Sequence, residues 1–263
     1  KVIRAKKSLG QNFLIDQNII DKILGIVEIK NKNILEVGPG TGNLTSAILK
    51  KNPKKLLVIE KDSELVSLLQ KKFNNEIQII NEDILNIDEN KLDIETLTVF
   101  GNLPYNISTE ILCKWILNIN DQKLWFNNLV LMFQKEVADR ILSSFNKKEY
   151  GRLSILANWK LSIEKICDIK PSSFLPKPKI DSSLLFFKPK KQIFKLKDPK
   201  ILEKITRVFF MHRRKMIKKP FNQLFNGNLE IASRLEIDLN LRPQNLDFTT
   251  YYKLANEYEN LRS

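Results

Sequence analysis

Residues 34–42 read Ile-Leu-Glu-Val-Gly-Pro-Gly-Thr-Gly, an apolar run followed by a glycine at every second position. Glycine lets a backbone pass close to a ligand and adopt positive φ. Twenty residues beyond Gly40 stands Glu60, closing the next apolar run. A carboxylate so placed can accept hydrogen bonds from ribose hydroxyls, so the pair predicts a nucleoside-type cofactor. The spacing is G-x-G-x-G, with Asn43 where the dinucleotide fingerprint has its third glycine. Glu36, just before the loop, would repel a pyrophosphate but tolerate a cationic sulfonium. Both points favour S-adenosylmethionine over NAD. Asp83, after the third apolar run, is placed to accept from an adenine amino group. The plainer alternative keeps Gly38 and Gly40 as turn residues and Glu60 and Asp83 as helix caps.

A second constellation is Gly101-Asn102-Leu103-Pro104-Tyr105-Asn106. An exocyclic base amine is a poor nucleophile, because its lone pair is conjugated into the ring. A site helps by accepting hydrogen bonds from the two N–H groups. The Asn102 side-chain oxygen and a backbone carbonyl held near Pro104 suit that task, since proline fixes the turn. Tyr105 offers a ring on which a flipped or unpaired base can stack. This chemistry is positioning and electrostatic preorganisation. Taken as isolated residues, the segment also reads as an ordinary turn with a buried tyrosine.

The elements that must carry these residues follow from periodicity. Short apolar runs at 33–37, 56–60, 77–80, 98–101 and 128–133 predict strands, and 44–50, 63–73 and 108–117 predict helices. Asp16 suits an N-cap for a helix carrying Ile19, Ile20, Ile23, Leu24 and Val27. Alternating strand and helix implies a mainly parallel sheet with helices on both faces, an α/β fold. Runs 161–169 and 182–188 fit an antiparallel pair at its edge. The first fourteen residues read as an irregular basic arm. Residues 188–200 read as a linker. Beyond them the pattern is helical, with Ile201, Ile205, Val208, Phe209 and Met216 on one face and further helices at 229–235 and 250–261. The expected domains are therefore 1–188 and 189–263.

Composition removes whole classes of function. Hydrophobic residues make up 43% of the 263, enough for a core, and no run reaches the ~18 residues of a membrane span. The basic segment 1–10 lacks an apolar signal core. The two cysteines form neither a disulfide framework nor a zinc pattern, and a reducing cytoplasm is the simplest compartment. One histidine, His212, excludes a zinc site built on several. Metal is not expected. Trp115, Trp125 and Trp159 read as packing residues, and Cys113 as buried. Residues 188–219 hold 13 basic and two acidic side chains, +11 of the chain's +14. Such a block reads as a polyanion-binding surface or as a solvated lysine-rich face.

Further motifs accompany these. They are Lys7-Ser8-Leu9-Gly10-Gln11-Asn12-Phe13-Leu14, Gln134-Lys135-Glu136-Val137, Tyr150-Gly151-Arg152-Leu153-Ser154 and Pro171-Ser172-Ser173-Phe174-Leu175-Pro176-Lys177-Pro178-Lys179-Ile180-Asp181-Ser182. In this order the set resembles the KsgA family of small-subunit rRNA adenine-N6 dimethyltransferases, from about residue 6 to 254. The resemblance implies a Rossmann-like class I S-adenosylmethionine methyltransferase sheet with a small all-helical C-terminal domain that binds rRNA. It implies that Asn12 and Leu14 of the arm fold over the cofactor and that Gly38 and Gly40 approach it. Glu60 would take the ribose and Asp83 the adenine amine. Asn102 would touch both cofactor and target. Catalysis would rest on Asn102, Pro104, Tyr105 and Phe174, the last two rings holding the target adenine. Arg213, Arg214 and Lys215 would contact RNA phosphates. The implied reaction is four methyl transfers to two adjacent adenines near the 3′ end of 16S rRNA in the small ribosomal subunit, by a monomer. The alternatives are the related 23S rRNA methyltransferases of macrolide resistance (Erm) and a non-catalytic assembly or transcription factor. The segment Lys219-Pro220-Phe221 and the short tail between Phe225 and Ile231 depart from the family pattern.

Overall fold

The computed structural model describes residues 3–92, 94, 96–119 and 123–263. Its elements in chain order are β1 (Phe13–Leu14), α1 (Gln17–Leu24), β2 (Asn33–Val37), α2 (Asn43–Leu49), β3 (Lys55–Ile59), α3 (Ser63–Phe73), β4 (Gln78–Ile80), β5 (Leu97–Asn102), α4 (Ser108–Leu117) and β6 (Phe126–Gln134). They continue as α5 (Lys135–Leu142), α6 (Arg152–Lys160), β7 (Leu161–Ile169), β8 (Phe174–Leu175), β9 (Ser182–Pro189), α7 (Pro199–Phe210), α8 (Lys218–Phe225), α9 (Leu229–Arg234) and α10 (Phe248–Asn260).

Seven strands form one sheet in the order β4-β3-β2-β5-β6-β9-β7. The pairs β2–β3, β3–β4, β2–β5 and β5–β6 are parallel, and β6–β9 is antiparallel. The parallel strands are buried on both faces and so are nearly all apolar, as in Ile34, Leu35 and Val37 or Leu56, Leu57, Val58 and Ile59. The chain starts in β2, winds out to β4, then returns to β5 on the other side. Between β2 and β5 lies the point where strand order reverses, and in open α/β sheets ligands bind outside the strand carboxyl ends there.

The chain forms two compact units. Lys1–Ala138 and Ile163–Pro189 make the first, and Asp139–Ser162 and Lys190–Ser263 the second. The expected boundary at 188/189 lies one residue from the crossing at Pro189, but α6 also belongs with the C-terminal helices. That second unit is helical and its core is aromatic. Phe209, Phe221, Phe225, Tyr251 and Tyr258 are buried in it, and the Tyr251 hydroxyl donates to the Pro243 carbonyl at 2.6 Å. Tyr150, fully buried, donates to the Leu246 carbonyl at 2.7 Å.

Three expectations change. The face Ile201, Ile205, Val208, Phe209 and Met216 is replaced by Leu202, Ile205, Thr206 and Phe209, because α7 ends at Phe210 and Met216 lies beyond it, 56% exposed. Cys113 is half-buried rather than buried. Helices α5 and α6 were not foreseen. α6 buries Ser154, Ile155, Leu156, Ala157, Trp159 and Lys160, so it is covered nearly all round and lacks a one-sided apolar stripe. Trp115, Trp125 and Trp159 are buried as expected, and no described helix is long and apolar enough to cross a membrane.

One buried charge joins two site-bearing segments. Glu89 is 1% exposed, and its Oε1 accepts from the Lys114 ammonium and the Trp115 indole N–H, each at 2.7 Å. Lys114 also donates to the Ile84 carbonyl. It thereby ties α4 to the turn that follows Asp83. Removing one partner of such a pair strands a buried charge, so Lys114→Ala should lower unfolding free energy by about 3–5 kcal/mol. Urea denaturation measures this, and a loss below about 1 kcal/mol would show the pair to be solvated.

Candidate functional site

A cleft of about 260 Å³ opens at the carboxyl ends of β2, β3 and β5. It is lined by Asn12, Leu14, Gly38, Gly40, Glu60, Asp83, Asn102, Pro104 and Tyr105, among others. Nine of the expected catalytic and cofactor residues thus meet in one place, although they come from five segments of chain.

The glycine loop is sterically committed. Gly38 has φ +71°, and a Cβ there would lie 2.9 Å from the Asn102 carbonyl oxygen. Gly40 has φ +58°, and a Cβ there would lie 2.7 Å from the Phe13 ring. The loop is therefore squeezed between the arm and the end of β5. Any side chain would push it off one or the other, and positive φ adds its own cost. The Gly38 amide donates to the Ile59 carbonyl at 3.1 Å, which fixes the loop to β3.

Three carboxylates face or underlie the cleft. Glu36 is buried, accepts from the Thr45 hydroxyl, and is pushed up to about 7 by burial, with the nearby Glu60 adding to the effect. Glu60 is also raised by burial, although the Asp62 amide donates to it at 2.9 Å. Asp83 is held low, chiefly by the Lys61 ammonium at 2.7 Å, and it also accepts from the Leu85 amide at 3.0 Å. Asp83 therefore does cap a 3-10 turn. A carboxylate has about four acceptor positions, so it keeps capacity for a ligand amine.

The Asn102 side-chain N–H donates to the Asn12 carbonyl at 2.7 Å. This leaves the oxygen of the same amide as its acceptor end. Pro104 turns its carbonyl toward the Ile107 amide at 3.1 Å, closing the turn that carries Tyr105. The Tyr105 hydroxyl shares a hydrogen bond of 2.6 Å with Ser182. Phe174 is not brought to the cleft. Paired opposite Leu14 across β1 and β8, it turns into the core with Ile20 and Ile169 and is 2% exposed, whereas Leu175 is 60% exposed. In the second unit, Arg213 donates to the Lys147 and Lys148 carbonyls and lies over the Phe210 ring, while Arg214 and Lys215 are exposed. His212 is exposed.

Sequence reasoning passed over the residues that fasten the arm. Asp62 caps α3 through the Glu64 amide, and it also accepts from the Lys6 ammonium at 2.8 Å and the Gln11 amide at 2.9 Å. Asn43 donates to the Leu14 carbonyl at 2.8 Å. The N-cap signal at Asp62 was legible, but its second duty needed partners more than fifty residues away.

The strand order, the cleft at the reversal point and the glycine cradle define a Rossmann-like class I methyltransferase fold. The chain matches the family described as ribosomal RNA adenine dimethylase over residues 2–260, and it belongs to that family. Among curated relatives it is 65% identical to ribosomal RNA small subunit methyltransferase A of Pelagibacter ubique (strain HTCC1062), covering 99% of each chain. It is 40% identical to the protein of the same name from a Wolbachia of Drosophila simulans (strain wRi), covering 98% of this chain and 95% of the relative. Among solved structures it resembles a dimethyladenosine transferase from Plasmodium falciparum, with TM-score 0.80, 28% identity and coverage of 94% and 98%. The 23S rRNA methyltransferase ErmE, at 20% identity and TM-score 0.67 with coverage of 96% and 100%, shares the fold.

Burial alone would raise Asp62, but the hydrogen bonds from Lys6, Gln11 and the Glu64 amide outweigh it and hold the carboxyl below its usual range. A lowered folded-state pKa contributes stability above the ordinary value of 3.8, lost as pH falls through the lowered one. At neutral pH the clasp is therefore closed. Gln11→Ala removes one of its bonds, worth about 1 kcal/mol, and should speed tryptic cleavage at Lys6 or Lys7 about fivefold. Equal cleavage rates would show that the arm is held elsewhere.

Proposed function

We propose that this chain uses S-adenosylmethionine to dimethylate the N6 amines of two adjacent adenosines near the 3′ end of 16S rRNA in the small ribosomal subunit, as a cytoplasmic step of ribosome biogenesis. The observation that carries the reading is Asn102, at the end of β5 in the cleft wall, its backbone against the glycine cradle and its amide held by the arm. The identity to the Pelagibacter ubique small-subunit methyltransferase supports the choice of subunit.

The cleft suits the cofactor class. Its floor is a glycine cradle that a Cβ would fill, and Glu60 and Asp83 stand at successive strand ends as acceptors for ribose hydroxyls and an adenine amine. Glu36 places a carboxyl beneath the cradle, in keeping with a cationic rather than an anionic ligand. When bound, S-adenosylmethionine supplies an electrophilic methyl on a sulfonium.

The chain's own residues supply position and polarity. Asn102 Oδ1 accepts from the target amine, so that the nitrogen lone pair is withdrawn from conjugation and aimed. A backbone carbonyl held near Pro104 accepts the second N–H, and the turn that holds it is closed by the Ile107 amide on the Pro104 carbonyl. Tyr105 presents a ring to the base, while Phe174 pairs with Leu14 of the arm in the core. Arg214 and Lys215, within the basic segment, supply phosphate contacts that bring affinity and salt dependence rather than base choice. Arg213, committed to Lys147 and Lys148, orders the turn that presents them.

Two outcomes follow. Asn102→Ala should lower methyl transfer to small subunits by about 10²–10³ while S-adenosylhomocysteine still binds. Labelled-methyl incorporation with nucleoside mass spectrometry reads this, and product in 23S rRNA instead would move the protein to the other rRNA branch. The second concerns pH. Glu36 is raised when buried, so its contribution to folding is fully present below 4.5 and lost as pH rises through about 7. A sulfonium reverses that preference by favouring the ionised form. Affinity for S-adenosylmethionine should therefore rise about tenfold from pH 6 to 8, and affinity for the uncharged thioether product should not. Parallel profiles for the two ligands would show that Glu36 does not sense the charge.

A further inference from the structure

The Tyr105 hydroxyl and Ser182 Oγ lie 2.6 Å apart, yet the two residues are 77 apart in sequence, one on the turn after β5 and the other in β9. Ser182 is fully buried and opens β9. It is clamped on both sides. It pairs in register with Gln134 of β6, and the Lys135 amide donates to the neighbouring Asp181 carbonyl at 3.0 Å. Ser183 donates to Asp168 of β7 at 2.7 Å, and Asp168 is in turn bonded to Lys165 at 2.7 Å. Tyr105, by contrast, sits on a turn between β5 and α4. Among the described residues, its own backbone is held there by that turn and by a long contact of 3.5 Å from the Ser108 hydroxyl to its carbonyl.

A tyrosine hydroxyl lies on the long axis of its ring, so fixing that far end fixes the direction of the axis and the place the ring occupies. The hydroxyl here faces the protein. Burial raises its pKa, and it stays protonated and neutral at physiological pH.

We infer that Ser182 is a positioning residue for Tyr105: its hydroxyl, set in the rigid start of β9, fixes the long axis and the place of the ring on which the target base stacks. The inference rests on the base-stacking reading of Tyr105 given above. It divides the side chain into two tasks. The hydroxyl serves the scaffold, and the π-face serves the base. The distinction matters most at the second transfer, when the amine already carries one methyl group and must return to the same geometry with a bulkier nitrogen. A ring free to tilt accepts the unmethylated base more easily than it holds the monomethylated one.

The test compares wild type, Ser182→Ala, Tyr105→Phe and the double variant on unmethylated small subunits. It reads kcat and KM for the particle and the ratio of N6-monomethyl to N6,N6-dimethyl adenosine, with S-adenosylhomocysteine affinity as the control. Ser182→Ala should lower kcat/KM by about two- to tenfold, the worth of one hydrogen bond, and raise the monomethyl fraction, with cofactor affinity unchanged. Tyr105→Phe should do the same, and the double variant should be no worse than either single one, because both remove one bond. Additive losses in the double variant, or an unchanged product ratio in Ser182→Ala, overturn the inference while leaving the functional reading in place. Wild type that forms no dimethyladenosine overturns that reading and this inference with it.

Discussion

Gly38 and the Asn102 carbonyl are so close that no side chain fits between them. The glycine loop follows β2 and Asn102 ends β5, and these two parallel strands are neighbours in register, Val37 opposite Gly101. The glycine loop and the Asn102–Tyr105 loop, which on the proposed function hold the two reactants, therefore share a wall of backbone. Most of the site follows from that contact. The arm can reach both at once, with Phe13 against Gly40 and the Asn12 carbonyl on the Asn102 amide. Two reactants held in clefts that touch are already near the geometry of transfer, and this removes much of the entropic cost of bringing them together.

Around this contact the molecule spends buried polarity where position matters. Glu36 and Thr45 lie beneath the cradle. Glu89, Lys114 and Trp115 join the Asp83 turn to the helix after the Asn102–Tyr105 loop. Asp62 holds both the start of α3 and the arm. Replacing such groups by apolar ones would often not weaken a fold, so their presence is best understood through the segments they align. Each of these three clusters joins a cleft-lining segment to another part of the chain.

Much of this was legible in sequence. The strands were visible because parallel strands buried on both faces are continuous apolar runs, and helices 63–73 and 108–117 fall where periodicity put them. The glycine loop, Glu60, Asp83 and the Asn102–Tyr105 turn were legible because each is a local pattern beside a strand end. What was not legible depends on long-range partners or on burial from all sides. α6 has no polar face to reveal its period. Phe174 reads as a base-holding ring by motif, and only the folded chain shows it buried in the core cluster with Leu14, Ile20 and Ile169. Ser182 and Asp62 look like a strand residue and a helix cap, and only the folded chain shows their second partners.

The cleft carries Glu36, Glu60, Glu82 and Asp83 on its lining, in a chain whose net charge is +14. At a distance the molecule attracts any polyanion, and the attraction weakens with salt. Along the cleft lining the balance reverses, these four acidic side chains standing beside Lys61. A phosphodiester is turned away there, while an uncharged heterocycle with donor groups finds acceptors. On the proposed function, the charge distribution would act as a sieve with two stages, one gathering the strand and the other admitting only what has been swung out of it. A nucleobase can pass both stages, but its backbone can pass only the first.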